Sequence, residues 1–261
     1  MNSTMNLKRQ EVLAATLVSL TLMSGCAGMA TKVDHDAVHQ LKTVAVVGFT
    51  YDQEEANTGK TILDNVMGQN KNGPMGKVVV DINESPHVDF AYQAFSEEIA
   101  KKSGLVVLPR EKIAQTPALD VFYNKKTATF QTGRTPLMAH FYRFEAKNIP
   151  QFYYLQFADK AALNELAKTL NVDGLVLASA SVRRSQTSIL GVGVGAISSV
   201  SDVVIFIYDP KKQDFIAVIN ASGDEVSTKD SKFMGFADQD EMNIQSLEAT
   251  QNAVKKAVAS L

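Results

Sequence analysis

The 261-residue chain holds four histidines, His35, His39, His87 and His140, and one cysteine, Cys26. Asp34, His35, Asp36 and His39 lie close together, and histidines spaced i and i+4 can share one helix face, so this group could ligate a metal. It falls in a polar stretch with nothing to orient the ligands, and a solvated linker is the expected reading. Gly59-Lys60-Thr61 follows a good strand, as in a phosphate-binding loop. Where that loop needs its first glycine the chain has Glu54, whose charge would repel phosphate. Gly191, Gly193 and Ala196 satisfy GxGxxA. A Ser/Gly connection precedes them and a strand follows, whereas a dinucleotide site needs a strand before and a helix after. No GxSxG, HExxH or paired catalytic carboxylate spacing occurs. Arg183 and Arg184 end an expected strand and could bind an anion or a protein partner, with a solvated strand end as the plainer reading. These residue patterns imply no catalytic group, no metal and no cofactor, and favour a binding role.

Cys26 carries the sharpest signal. Lys8 and Arg9 precede an apolar stretch from Val12 through Met23, and Ser24 and Gly25 lead into the cysteine. Charge, apolar run and small residues in that order form a secretory signal, with Glu11 as its one blemish. The run is too short for a membrane-spanning helix, which needs roughly 20 apolar residues. Leu22-Met23-Ser24-Gly25-Cys26 resembles a bacterial lipobox, departing from it at Met23, where Leu is usual. The resemblance implies cleavage before Cys26 and acylation of its thiol and amine. A buried thiol behind an ordinary signal peptide is the alternative. Each buried methylene of an acyl chain is worth about 0.8 kcal/mol, so the lipids would anchor the chain to a bilayer. In Gram-negative lipoproteins a residue other than Asp after the cysteine implies outer-membrane sorting, and here it is Ala27. With one cysteine, no intrachain disulfide is possible.

Removing residues 1–25, which carry Lys8, Arg9 and Glu11, moves the formal net charge from −2 to about −3. That balance excludes a strongly basic nucleic-acid face. No second long apolar stretch follows, so no transmembrane helix is expected. The remaining length suits a single domain with elaborations, or one and a half domains.

The elements that must position these residues alternate between strand and helix. Residues 26–40 read as the lipidated cysteine and a polar tether. Lys42–Thr50 is a central strand, β-branched and nearly continuous in apolar character. Residues 51–76 read as a long loop with one short helix near Ile62–Met67, and Lys77–Ile82 as a short strand. Ser85-Pro86 is an N-cap followed by a proline at the first helical position. Phe90, Ala91, Ala94, Phe95 and Ile99 continue at helical spacing until Gly104 stops the helix. Leu105–Leu108 is its strand. Glu111–Ala114 is a helical turn inside or beside an insert near 115–155, where Phe152–Gln156 is a possible short strand. Ala158–Leu170 is a second helix, with Ala161, Leu163, Leu166, Ala167 and Leu170 as its apolar set, and Gly174–Val182 is its strand. Residues 183–200 form a Ser/Gly-rich connection. Asp202–Tyr208 and Phe215–Ala221 pair antiparallel across the turn 209–214. A closing helix spans about 240–260, with Ile244, Leu247, Ala249, Ala253, Val254 and Ala257 as its stripe. The fold class is α/β, a mixed β-sheet of about five strands with three main helices packed on it. The domain would span 41–261.

Several of these segments together resemble the lipoprotein superfamily of the curli-secretion component CsgG. That group includes the LpoB-type activators of peptidoglycan synthases and shares its fold with the amino-terminal domain of TolB. Val44–Thr50 (VAVVGFT) is similar to its first strand, Phe90–Ile113 to its helix, strand and Arg-bearing turn, and Leu166–Val182 to its next helix and strand. Phe215–Val226 is similar to its later hairpin. The resemblance covers about three quarters of the chain after Cys26 and has no counterpart for residues 115–155. It implies an outer-membrane-anchored periplasmic lipoprotein that works as a non-catalytic binding or assembly module. Its partners would be the bilayer, through acylated Cys26, and other envelope proteins. One alternative is a CsgG-like oligomeric secretion channel, in which Ile189–Val200 and part of 124–150 would supply membrane strands. The charges at Lys125, Lys126, Arg134, His140, Arg143, Glu145 and Lys147 argue against a lipid face for the latter. A second alternative is an envelope enzyme, which would need a cleft with perturbed titratable groups.

Overall fold

The computed structural model describes residues 31–54, 86–117, 119, 133–135, 138–149, 160–189, 192–227, 232–233 and 239–261. Cys26, Gly59-Lys60-Thr61 and the expected elements at Ile62–Met67, Lys77–Ile82 and Phe152–Gln156 lie outside these residues.

The strands are β1 (Lys32–Val33), β2 (Thr43–Glu54), β3 (Val106–Val107), β4 (Gly133–Thr135), β5 (Met138–Glu145), β6 (Gly174–Ile189), β7 (Val192–Asp209), β8 (Asp214–Ser222), β9 (Val226–Ser227) and β10 (Lys232–Phe233). The helices are α1 (His35–Gln40), α2 (Pro86–Ser103), α3 (Arg110–Ala114), α4 (Lys160–Leu170) and α5 (Gln239–Val258). All ten strands join one mixed sheet in the order β1-β8-β7-β6-β2-β5-β4. β3 pairs with the start of β2, and β9 and β10 pair with β7. β2 runs parallel to β6 and β3, and the remaining pairs are antiparallel.

The α/β fold with three main helices matches the pattern in the sequence, and the strand count is higher than the five expected. The excess is β1, β4, β5, β9 and β10, and β6 and β7 are also longer than expected. β5 lies inside the insert and adds to β2, with Thr50 opposite Glu145 and Glu54 opposite Phe141. The expected Ser/Gly-rich connection at 183–200 is instead the outer half of a long β6–β7 hairpin. Its ladder runs from Leu175 opposite Tyr208 to Ile189 opposite Val192, with a bulge after Gln186. Small residues carry little strand signal, but here the register is propagated from the buried inner half of each strand.

The domain also begins earlier than residue 41. β1 extends the sheet edge along β8, with Lys32 opposite Val218. In α1, Ala37 and Val38 are fully buried. The Asp34 side chain caps this helix by accepting from the Ala37 amide at 3.1 Å. The tether expected over 26–40 therefore does not include residues 31–40. The helix is only six residues long, too short for a periodic pattern to stand out.

α2 and α5 pack together on one face of the sheet, where Phe49 meets Tyr92 and Phe95 at ring distances of 5.7 and 5.8 Å. α4 covers the other face, with the Tyr208 hydroxyl donating to Asn164 Oδ1 at 3.1 Å. Gly104 ends α2 in the left-handed region at φ 69°, as a glycine just past a helix should. Asn171 does the same for α4 at φ 54°. The strand bodies are apolar on both faces: Val44–Val47, Leu175–Ala178 and Val203–Tyr208 are buried.

Candidate functional site

The two adjacent arginines leave the sheet on opposite faces because strand side chains alternate. Arg183 is half-exposed and pairs with Asp202 at 2.8 Å, and Asp202 also accepts from Ser222 Oγ at 2.5 Å. Arg184 points under α5. Its Nη2 donates to the Met242 carbonyl at 3.1 Å and to Ser246 Oγ at 2.7 Å. With the Gln53 amide oxygen turned toward it, Gln53 accepts from Nη2 and Nη1 at 2.5 and 2.7 Å. The structure thus separates the two residues that sequence placed together. It uses one guanidinium to lock a helix to the sheet.

Around Arg184 the sheet and α5 meet through polar groups. Tyr51, Gln53, Ser199 and Ser201 come from the strands, and Gln245, Ser246 and Thr250 come from α5; all are buried. Thr250 Oγ1 donates to the Ser246 carbonyl at 2.8 Å and lies 3.3 Å from Ser201 Oγ. Burial pushes the Tyr51 hydroxyl up to about 12, with Thr250, Arg184 and Ser246 only partly offsetting it. Tyr51 therefore stays protonated. Ser199 Oγ and Gln245 Oε1 are buried without a hydrogen-bond partner. Each such group costs roughly 1–3 kcal/mol.

This seam changes which side of α5 faces inward. Ile244, expected in the buried stripe, is 65% exposed. Met242, Gln245 and Ser246 are buried instead. From Ala249 onward, with Ala253, Val254 and Ala257, the apolar stripe read from sequence faces the core. The reason is the partner surface: the sheet is polar under the first half of the helix and apolar under the second. Gln53 falls in a segment that reads as loop, and Ser246 and Thr250 are polar residues beside an apolar stripe, so none of the three stands out in the sequence. The i, i+4 spacing of Ser246 and Thr250 was the available signal.

The other candidates separate. Asp34 ion-pairs with Lys212 Nζ at 2.7 Å. That hydrogen bond first, and the Ala37 amide second, hold the Asp34 carboxyl below its ordinary value. The ring of His35 lies 3.3 Å from the Leu261 carbonyl through Nδ1. The stretch is thus a docked helix rather than a solvated linker. Among the described residues no three His, Cys, Asp or Glu side chains are grouped to hold a metal. Gly193 and Ala196 lie within β7, so no helix N-terminus follows them to receive a pyrophosphate.

A second polar joint ties α2 to α3. Arg110 Nη1 bonds to Asp89 Oδ1 at 2.5 Å and its guanidinium sits 5.4 Å from the Tyr92 ring centre. Asp89 Oδ1 also accepts from the Lys147 amide at 2.9 Å, which ties in the end of the insert. Both joints fix elements to one another.

No protein-family model matches the chain, and no curated protein sequence matches it. Among solved structures it is similar to lipoprotein GNA1162 from Neisseria meningitidis, at 10% identity and a TM-score of 0.37, covering 84% of this chain and 99% of that one. It is also similar to the hypothetical protein CT253 from Chlamydia trachomatis, at 12% identity and a TM-score of 0.37, covering 84% and 94%.

Proposed function

We propose that the chain is an outer-membrane lipoprotein, anchored through acylated Cys26 and facing the periplasm, that acts as a non-catalytic binding or assembly module for other envelope proteins. The observation that carries this reading is the lipobox-like Leu22-Met23-Ser24-Gly25-Cys26 placed just before the folded domain. The bonding of Arg184 and Ser246 supports a structural rather than catalytic use of the polar seam. Among the described residues no helix is long and apolar enough to cross a membrane, so the acyl chains would be the attachment. Holding the domain at a surface raises its effective concentration near membrane-bound partners.

Growth with radiolabelled palmitate tests the anchor. Label should enter the wild-type protein and be lost in Cys26→Ser, which should also leave the membrane fraction. Unlabelled wild-type protein would sink the reading.

The β6–β7 hairpin and the β4–β5 hairpin favour a second reading, the oligomeric secretion channel, since both fall in the segments that would supply membrane strands. Light scattering on the detergent-extracted protein separates the two. A discrete ring-sized mass would support the channel, and a monomer or small oligomer the tethered module.

A further inference from the structure

The chain enters the domain at one edge of the sheet. Lys32 pairs with Val218 and Val33 with Ala217, antiparallel to β8. Thr31 ends this pairing with its side chain. Its Oγ1 donates to the Asn220 carbonyl at 3.3 Å and accepts from the Asn220 amide at 3.2 Å. Those are the two bonds that a backbone continuing along β8 would make. On the other side of β1, the Asp34 amide donates to the Ile216 carbonyl at 2.8 Å. The edge of β8 is thus engaged at Ile216, Val218 and Asn220, which leaves no run of free backbone groups there for a partner protein's strand.

Only residues 27–30 separate Cys26 from Thr31. Whatever their arrangement, Cys26 lies within about 18 Å of Thr31. That length decides which side of the domain can meet a bilayer. Asn220 is level with Val204 and hence with Ser179, and from Ser179 to Ile189 β6 rises about 33 Å. Toward the other end, Asp214 is about 20 Å from Asn220 along β8. Across the strands, the order β1-β8-β7-β6-β2-β5-β4 puts β4 about 29 Å from β1. A domain resting on any of these three sides would hold Thr31 farther from the bilayer than the tether spans.

The two faces are little better. A helix is about 10 Å across, and its near side stands about 5 Å from the middle of the sheet, half the spacing of stacked sheets. The outer surface of a helix layer is therefore about 15 Å off the sheet. A bilayer against α2 and α5, or against α4, would hold the five links from Cys26 to Thr31 almost straight, at the entropy cost of fixing each residue. The β1–β8 edge needs no such stretch, because Thr31 lies on it. Its chemistry also suits lipid headgroups. Lys32 is exposed and is the only charged residue in β1 and in Phe215–Ser222 of β8, so a cation faces lipid phosphates with no carboxylate beside it in either strand.

We propose that the domain rests on the bilayer by its β1–β8 edge, with the strands lying along the membrane surface and the β5–β4 edge facing away from it. This rests on the acylation of Cys26 proposed above. The partner at this edge is the lipid surface, and the domain meets it in one orientation rather than swinging on a leash.

The test uses full-length acylated protein reconstituted into vesicles of phosphatidylethanolamine and phosphatidylglycerol. Acylation of Cys26 leaves one free thiol in each of four variants, Lys32→Cys and Ser222→Cys on the edge, Gln93→Cys on α2 and Lys112→Cys on α3. All four positions are exposed, and each thiol is labelled with a fluorophore. Nitroxide-bearing lipid should quench the label at 32 or 222 at least twofold more than the labels at 93 and 112. Two edge positions guard against one variant failing to fold. Protein that carries the acyl mass and floats with vesicles, yet shows no quenching at 32 and 222 or equal quenching at 93 or 112, overturns the orientation alone. Protein that lacks the acyl mass and does not float overturns the anchor and the orientation together.

Discussion

The neighbouring arginines make a controlled comparison, since position in sequence is shared and only the face of the sheet differs. Arg184→Ala would leave the Met242 carbonyl, Ser246 and Gln53 without their charged donor under α5. A loss of about 2–3 kcal/mol is expected in urea unfolding. Arg183→Ala removes a half-exposed ion pair with Asp202, and should change stability by less than about 1 kcal/mol. Equal effects would mean that the seam does not hold the helix. Gly223 tests packing in the same region. A Cβ there would stand 2.6 Å from the Ala249 carbonyl oxygen and 2.9 Å from the Ala253 amide nitrogen, both backbone atoms of α5. Gly223→Ala should therefore cost about 1–3 kcal/mol by overpacking, despite adding only a methyl group. Asp173 supplies a pH dependence. Burial raises its carboxyl, but the amides of Thr43 and Lys42 and the charge of Lys211 outweigh this and leave it lowered. A carboxyl lowered by folding adds stability that is present above the unfolded value and is lost as pH falls through the folded one. Stability should drop below about pH 4, and Asp173→Asn should flatten that part of the curve.

Among the elements, legibility followed length and contrast. α2 was readable from Pro86 at its start, from Ala91, Phe95 and Ile99, which prove buried although Phe90 of the same set is exposed, and from Gly104, and α4 from four positions that prove buried: Leu163, Leu166, Ala167 and Leu170. The inner halves of β2, β6 and β7 were readable as apolar runs because the sheet is covered on both faces. α1 was not, because two buried residues, Ala37 and Val38, make no pattern by themselves. The outer hairpin was not, because serine and glycine mark loops unless a neighbouring ladder dictates their register. The site suffered most. Whether Arg184 faces α5 or solvent depends on strand parity and on a helix more than fifty residues away, neither of which is written locally. α1 makes the point testable. Val38→Asp places a charge in the core cluster, and should undock the helix. Amide exchange over Asp34–Leu41 should speed up by at least tenfold, while β6 near Val176–Ala178 stays protected. Unchanged exchange would show that 31–40 is a tether after all.

At the scale of the whole molecule, the two ends of the sheet are stabilised differently. At the Asp209 end, strands and helices meet through side chains such as Leu175, Ile207, Leu166 and Val254, all at most 2% exposed. Toward the hairpin the same helix, α5, meets Ser199, Ser201 and Arg184, and Ser199 Oγ and Gln245 Oε1 are buried without partners. Apolar burial contributes roughly 25 cal/mol per Å², whereas a hydrogen-bonded seam gains little net energy and is penalised for each unmet group. The structure should therefore open from the hairpin end, with the first half of α5 lifting before the second. Native-state amide exchange reads this directly, because local opening and global unfolding have different free energies. Amides at Ser199–Ser201 and Gln245–Ser246 should exchange by a route of lower free energy than those at Val204–Ile207 and Ala253–Val254. Replacing Ser199 with alanine, which removes an unpartnered buried hydroxyl, should raise the free energy of that opening and narrow the difference. Uniform exchange across both groups would instead mean that the polar seam is as strong as the core, and that the sheet behaves as one cooperative unit from Asp209 to Val192.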